Sequence, residues 1–258
     1  MINYLAGIFD SEGYVRIRKT KKYSGNEYHY IPEVRLYMTN KQIVSKFAKL
    51  YGLAVKTEQR GSHLKRVYHT SIGIGKLRAT QFLNDFLPLL NEKKLQLQEV
   101  YNIVHTNKDK EECYQRYVKA KKDFTHPIQS KNITNEYLAG IIDGDGWISL
   151  FNGGKGSSMY NQVNIGLQQR YKPMVEYVAN ILHKNVHQCK IYDYQSHIQT
   201  WSTNSYISSL TTLEFLKDIC PYLIEKKKKC KLVINYIKIY DKFKQLSIDT
   251  LAKFKLLK

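Results

Sequence analysis

The chain has 258 residues, room for one large domain or two modest ones. Its 43% hydrophobic content is ordinary for a globular protein and argues against wholesale disorder. Against 22 Asp and Glu stand 41 Lys and Arg, a net charge of +19 that solubility does not require, so a polyanion is expected as partner, nucleic acid ahead of a membrane surface. No apolar run reaches the roughly 18 residues of a membrane span, and the opening MINYLAGIFDSEG lacks the basic start of a secretory signal. Cys113, Cys189, Cys220 and Cys230 show no C-x-x-C pairing, which argues against a disulfide framework or structural zinc and for reduced thiols in an intracellular protein. Abundant Lys, Asn, Ile and Tyr suggest an AT-rich gene, compatible with an organelle or with a microbial or phage host; the compartment is left open.

The chain repeats itself. Residues 4–13 read YLAGIFDSEG and residues 137–146 read YLAGIIDGDG; Pro88 to Lys94 matches Pro221 to Lys227, and Phe82-Leu83 matches Phe215-Leu216, all at one offset of 133. Such a long period means two copies of a small domain. In chain order, each copy opens with a short apolar helix closed by Gly13 or Gly146, read as a helix C-cap. An alternating strand follows at Tyr14–Arg18 or Trp147–Phe151. A second strand is expected at Glu33–Thr39 or Gln162–Gln168, and then an amphipathic helix. In the first copy that helix carries Ile43, Val44, Phe47 and Leu50 and stops at Gly52; in the second it has Pro173 in its first turn. Two further strands end near Ser71 and Thr203, and helices follow near 76–87 and 206–219 and from about 92 and 225. The order per copy is αββαββα, so the expected class is α+β. The expected boundaries are a first copy at 1–105, a charged linker at 106–133 (helical in part around 109–121), a second copy at 134–240 and a basic tail at 241–258.

The repeated decapeptide has a physical reading. Gly7 and Ser11, and Gly140 and Gly144, lie four apart on one helix face. A glycine inside a helix costs about 1 kcal/mol relative to alanine, so small residues there point to two helices in close contact, forming the interface between copies. Glu12 and Asp145 then emerge together at the negative ends of two helix dipoles, where further anions are disfavoured. A cation is needed, and carboxylates select a hard one, Mg²⁺ first. In a strongly basic protein this pair points to metal-assisted phosphodiester chemistry; the plain alternative is a pair of ordinary surface acids. Asp10 and Asp143 also repeat and are read as structural, capping helix ends, with a direct chemical role as the alternative.

At these residues, LAGIFDSEG over 5–13 and LAGIIDGDG over 138–146, the sequence resembles the LAGLIDADG homing endonucleases, and the likeness extends over about 1–240. The resemblance implies the single-chain, pseudo-dimeric branch: two copies related by a pseudo-two-fold, each with a four-stranded antiparallel sheet lying in the DNA major groove, packed through the motif helices. It implies metal-dependent cleavage of both strands across the minor groove, with short 3′ overhangs, by a functional monomer. Glu12 and Asp145 fall at the family's metal-ligand positions; a backbone ligand near residue 11 is left unassigned. Two or more Mg²⁺ are expected, with Mn²⁺ or Ca²⁺ able to substitute in binding. Asn40 and Gln169 fall near the place of a polar residue beside the attacking water. Lys93 and Lys226 fit the basic residue of the site, with Lys94 and Lys227 as near alternatives. The rival readings on this fold are an intron maturase, with intron RNA as partner, and a non-catalytic DNA-binding regulator.

Base contacts are expected from the strands. Alternation puts Arg16 and Arg18 opposite Val15 and Ile17, and Arg35, Tyr37 and Thr39 opposite Val34, Leu36 and Met38. Arg66, Tyr68 and Thr70 are the later candidates of the first copy; Ser149, Asn164, Gln168, Gln199, Trp201 and Thr203 are those of the second. Arginine suits guanine, and glutamine or asparagine suits adenine. Because the copies differ here, a long asymmetric target is expected.

Overall fold

A computed structural model describes residues 1–22, 27–60, 65–73, 77–153, 160–193, 196–206 and 210–239. The expected tail at 241–258 lies outside them. The first copy runs α1 (Ile2–Glu12), β1 (Gly13–Lys21), β2 (Tyr28–Met38), α2 (Lys41–Leu50), β3 (Lys56–Arg60), β4 (Lys65–Gly73), α3 (Leu77–Phe86) and α4 (Lys94–His105), followed by α5 (Lys110–Ala120). The second runs α6 (Asn135–Asp145), β5 (Gly146–Gly153), β6 (Tyr160–Gln169), α7 (Lys172–Leu182), β7 (His187–Asp193), β8 (Ser196–Tyr206) and α8 (Leu210–Ile219), with residues 227–239 forming α9. The fold is α+β, and its two sheets have matching strand orders, β1-β2-β4-β3 and β5-β6-β8-β7, antiparallel throughout.

Each sheet buries one face under helices. Val15, Ile17, Val34, Leu36 and Ile72 fill that side of the first sheet, and Ile148, Ile165 and Leu167 that of the second. In the first copy the core above the sheet is aromatic: Phe9, Phe47, Phe82 and Phe86 pack edge-on and stacked, with ring centroids 4.7–6.2 Å apart. This leaves the opposite face of each sheet as the one available to a partner.

The two copies meet through α1 and α6, and the glycines set the distance. A Cβ on Gly7 would stand 2.1 Å from the Tyr137 carbonyl oxygen; one on Gly140 would stand 2.2 Å from that of Tyr4. One on Gly144 would stand 2.4 Å from the Cβ of Ser11. Early residues of one helix meet early residues of the other and late meet late, so the helices run parallel with their backbones in contact. Gly13 and Gly146 are the C-caps of α1 and α6, as the sequence implies, but not in a left-handed conformation: their φ values are −72° and −86°, ordinary extended backbone. They are needed because the chain turns tightly into the strand, and a Cβ there would strike the Phe9 carbonyl oxygen at 2.3 Å or the Ile142 Cα at 2.8 Å. Gly52, at φ 57°, does adopt the left-handed conformation after α2.

The joining segment is built on the first copy. Cys113, Tyr117 and Ala120 of α5 are buried, and the Tyr117 hydroxyl donates to the Val15 carbonyl at 3.0 Å, satisfying an acceptor on the edge strand β1. No described helix is long and apolar enough to cross a membrane.

Candidate active site and nucleic-acid interface

The parallel contact of α1 and α6 brings their C-termini together, and these ends carry Glu12 and Asp145. The Glu12 Cγ lies within van der Waals reach of Gly144, whose added Cβ would be 3.5 Å from it. Lys93 and Lys226 reach the same place from the turns before α4 and α9. The Lys93 ammonium donates to the Asp10 carbonyl in the last turn of α1, and the Lys226 ammonium donates to that of Asp143 in α6. Each lysine thus sits at the negative end of a motif helix, and both acids feel both lysines. Burial first, and then the charge of Asp145, raise the Glu12 carboxyl to about 7 against the opposing pull of the two lysines. Burial also raises Asp145, against a hydrogen bond from Gln169 and the two lysines. Lys226 is lowered, chiefly by its own burial. The near alternatives point elsewhere: Lys94 bonds Gln129 at 2.7 Å and Lys227 the Pro221 carbonyl at 2.7 Å.

Asp10 and Asp143 hold the framework. Asp10 accepts from the backbone N–H of Asn91 at 2.7 Å and of Lys93 at 2.9 Å, and from the Tyr137 hydroxyl of the other copy. Asp143 accepts from the N–H groups of Ile224, Glu225 and Lys226 at 2.6–3.1 Å and from the Tyr4 hydroxyl at 2.8 Å. Each aspartate satisfies the orphan donors of the turn carrying its own lysine and ties that turn to the opposite copy. Two further acids, Glu92 and Glu225, precede those lysines. Burial raises Glu92 to about 7, with Asp10 and Asp145 adding to the shift, and the charge of Glu225 in turn raises Glu12. Their repetition at the 133 offset was the available signal.

Asn40 is not the counterpart of Gln169. Strand β1 pairs Gly13 with Leu36, and β5 pairs Gly146 with Leu167, so Gln169 corresponds to Met38. Asn40 is instead the N-cap of α2, its side chain accepting from Ile43 N–H at 3.3 Å, and Tyr171 holds the matching position before α7. Gln169 is 5% exposed; its amide nitrogen donates to Asp145 at 2.7 Å, and its amide oxygen is buried without a hydrogen-bond partner. Met38 and Glu12 are among the residues lining an open concavity of about 270 Å³.

On the open face of the first sheet, Arg16 and Arg18 are exposed as expected. Arg35 lies there too, paired with Glu33 and donating to the Tyr37 hydroxyl at 2.6 Å, while Thr39 is exposed just past β2. The later candidates require correction. Register pairs Leu36 with Thr70 and Met38 with Tyr68, so Arg66, Tyr68 and Thr70 belong to the helix-side face of β4; Thr70 is buried, donating to the Ala54 carbonyl at 2.9 Å, although Arg66 is exposed near the strand end. The residues on the open face are Val67, His69 and Ser71, and His69 stacks on Tyr37 at 5.0 Å. The second copy repeats this. Ser149, Asn164 and Gln168 have the open-face parity, whereas Leu167 pairs with Thr203 and Gln169 with Trp201. Thr203 is buried and donates to the Asn185 carbonyl at 3.1 Å, and Trp201 packs on the core. Ser202 takes the open-face position; the side chain of Gln199 lies outside the described residues.

No described group of three or more His, Cys, Asp or Glu side chains could by itself hold a metal ion. Two carboxylates with a buried, unpartnered amide oxygen beside one of them nonetheless fit Mg²⁺, which commonly takes one or two protein carboxylates and completes its shell with water and phosphate.

This arrangement defines a pseudo-dimeric α+β protein whose paired motif helices deliver one acid each to a shared centre. No family model and no curated protein matches the chain. Among solved structures, it shares the fold of the LAGLIDADG homing endonucleases. I-GzeII in complex with its DNA target matches with a TM-score of 0.65 at 12% identity, over 98% of this chain and 95% of that one. I-SmaMI bound to cleaved DNA matches at 0.64 and 14%, over 100% and 95%, and I-CpaMI bound to uncleaved DNA at 0.61 and 13%, over 98% and 97%.

Proposed function

We propose that this chain is a site-specific DNA endonuclease of the LAGLIDADG homing type, dependent on a divalent metal and active as a monomer. The observation that carries the reading is the meeting of Glu12 and Asp145, one from each copy, at the ends of two touching helices and within reach of both Lys93 and Lys226. The open faces of the two sheets, with Arg16 and Arg18 on one and Ser149, Asn164 and Gln168 on the other, take the duplex in its major groove. The two acids lie between the sheets, where the minor groove of about 6 Å brings the two scissile phosphates close together. The shared fold supports this, as does I-SmaMI, which has been captured on uncleaved DNA in the presence of calcium ions and on cleaved DNA.

In the reaction, a water oxygen bonds to phosphorus and the bond from phosphorus to the 3′ oxygen breaks. The water gives up one proton, and the departing oxygen gains one. Glu12 and Asp145 would hold the divalent ions, which when bound neutralise phosphate charge and make water more acidic. Lys93 and Lys226 oppose the burial that favours protonation of the acids and hold the helix ends in place. Gln169 fixes the rotamer of Asp145 and offers its amide oxygen to a water. The two copies present different side chains, Arg16 against Ser149 among them, so the target is asymmetric and long.

The test is cleavage of a randomised duplex library with Mg²⁺. The wild type is expected to cut a small set of related sequences to short 3′ overhangs. Glu12→Gln and Asp145→Asn are each expected to lose double-strand cleavage while retaining the duplex. Undiminished cutting by either variant would remove the site assignment.

A further inference from the structure

The contact of α1 and α6 creates two related grooves at the helix ends opposite Glu12 and Asp145, and the described residues fill one of them. In the filled groove, residues 123–133 lie as a strap across the turn before α4 and the start of α7. The Gln129 N–H donates to the Asn91 side chain at 2.8 Å, and Asn132 donates to the Pro88 carbonyl at 2.5 Å. The Gln129 side chain accepts from Lys94, and the Tyr171 hydroxyl donates to the His126 carbonyl at 2.9 Å. Ile128 and Ile133 pack on the core. At the offset of 133, Pro88, Asn91 and Lys94 correspond to Pro221, Ile224 and Lys227. Those three line an open cavity of about 570 Å³, beside Tyr4 and Glu136. The positions that anchor the strap are thus repeated where no described segment lies.

The two grooves differ in charge. Lys46, Lys228 and Lys231 line the open one, where Tyr177, Leu95 and Gln98 hold the corresponding positions of the filled one. Among the described residues these three lysines have no ion-pair partner. Cations gathered around a concavity focus a positive potential within it, so the fitting occupant is an anion. Residues 241–258 carry five lysines against two aspartates and do not complement it. Glu136 separates two kinds of anion: a peptide can turn an N–H or a hydroxyl to this carboxylate, whereas an unbroken phosphate chain meets it with like charge. We propose that the open groove docks an acidic, extended segment of a partner protein, in the manner in which the strap docks in its counterpart. The groove lies at the far end of the motif helices from Glu12 and Asp145, and the proposal does not depend on the nuclease reading.

The probe is a fluorescein-labelled peptide of residues 123–133 with Ser130→Glu and Lys131→Glu, two positions exposed in the strap, so that its anchoring side chains are kept. Fluorescence anisotropy with the full chain measures its binding. The wild type should bind it about tenfold more tightly than the unmodified strap peptide or a scrambled peptide of the same composition. Lys228→Glu with Lys231→Glu should weaken binding on the order of tenfold. Lys108→Glu with Lys110→Glu, an equal change of charge at the exposed start of α5, should leave it within about twofold. Amide exchange over residues 221–231 should slow when the peptide is bound. Absence of binding by the wild type, equal binding of the scrambled peptide, or equal losses in the two pairs of variants overturns the proposal. So does oligouridine that displaces the peptide and itself binds more tightly through Lys228 and Lys231, since the groove would then belong to a nucleic acid.

Discussion

Asp10 and Glu12 stand two residues apart in one helix and do opposite work. Asp10 is fully buried and spends its oxygens on two backbone N–H groups and a hydroxyl, whereas Glu12 accepts no hydrogen bond among the described residues. The first arrangement is structural economy; the second leaves a carboxylate free for a ligand at some cost in burial. Asp10→Ala is therefore expected to strand the N–H groups of Asn91 and Lys93, at about 1–3 kcal/mol for each buried group left unpaired, and to lower the midpoint of urea unfolding. Glu12→Gln should leave that midpoint unchanged or raise it. An unmoved midpoint in Asp10→Ala would contradict the capping role. The repeated motif disclosed both acids but not the environment of each; in the helix, residues two apart do not face the same way, so Asp10 turns into the core and Glu12 towards the other copy. The neighbouring Asn40 was misplaced because a cap and a site residue look alike in sequence: a short polar side chain after a strand serves either end.

Helix packing was legible at the element scale because glycine at i and i+4 has few other reasons to exist. Gly7→Ala is expected to force α1 and α6 apart, since the new methyl would lie 2.1 Å from a backbone oxygen that cannot rotate away. A cost of about 1–3 kcal/mol, typical of overpacking, should appear as a lower Tm, and a Tm equal to wild type would deny the close contact. Strand faces were legible only where one side is apolar. In β1 and β2 the valines, isoleucine and leucine fix the parity. In β4, K-R-V-Y-H-T-S-I-G is polar on both sides, and Val67 and Ile72 fall on opposite faces. A one-residue slip in a strand exchanges its faces, and in both copies the reading took the wrong one; the buried Ile72 was the clue to the correct face. The glycines ending α1 and α6 were found, but their reason was steric approach, which only the three-dimensional turn reveals.

Across the whole molecule, charge sets both binding and stability. A groove of about 540 Å³ along the edge of β1 joins Arg16 and Arg18 to Lys121 and Lys122 just past α5. If it follows the phosphate backbone, Lys121→Ala with Lys122→Ala should lower the slope of log affinity against log salt by about 0.9 per lost contact; an unchanged slope would remove these lysines from the interface. Stability should also carry a pH signature of the acidic centre. Glu12 titrates near 7 in the folded chain against 4.5 ordinarily, so between those values the folded protein holds a proton that the unfolded chain has released. Stability from this group therefore falls as pH rises through the window, because the unfolded state binds fewer protons. Glu92, also raised to about 7, acts in the same direction. The background of a +19 chain changes with pH too, so the informative quantity is the difference between wild type and Glu12→Gln without metal. Their Tm values should be close near pH 4.5 and should separate in favour of the variant as pH rises to about 7. Ca²⁺ should then stabilise the wild type increasingly over the same range, since ligand carboxylates must release their protons to bind it. Thermal melts across pH with and without Ca²⁺ measure both effects, and a constant Tm difference between the two proteins would mean that Glu12 carries no raised carboxyl.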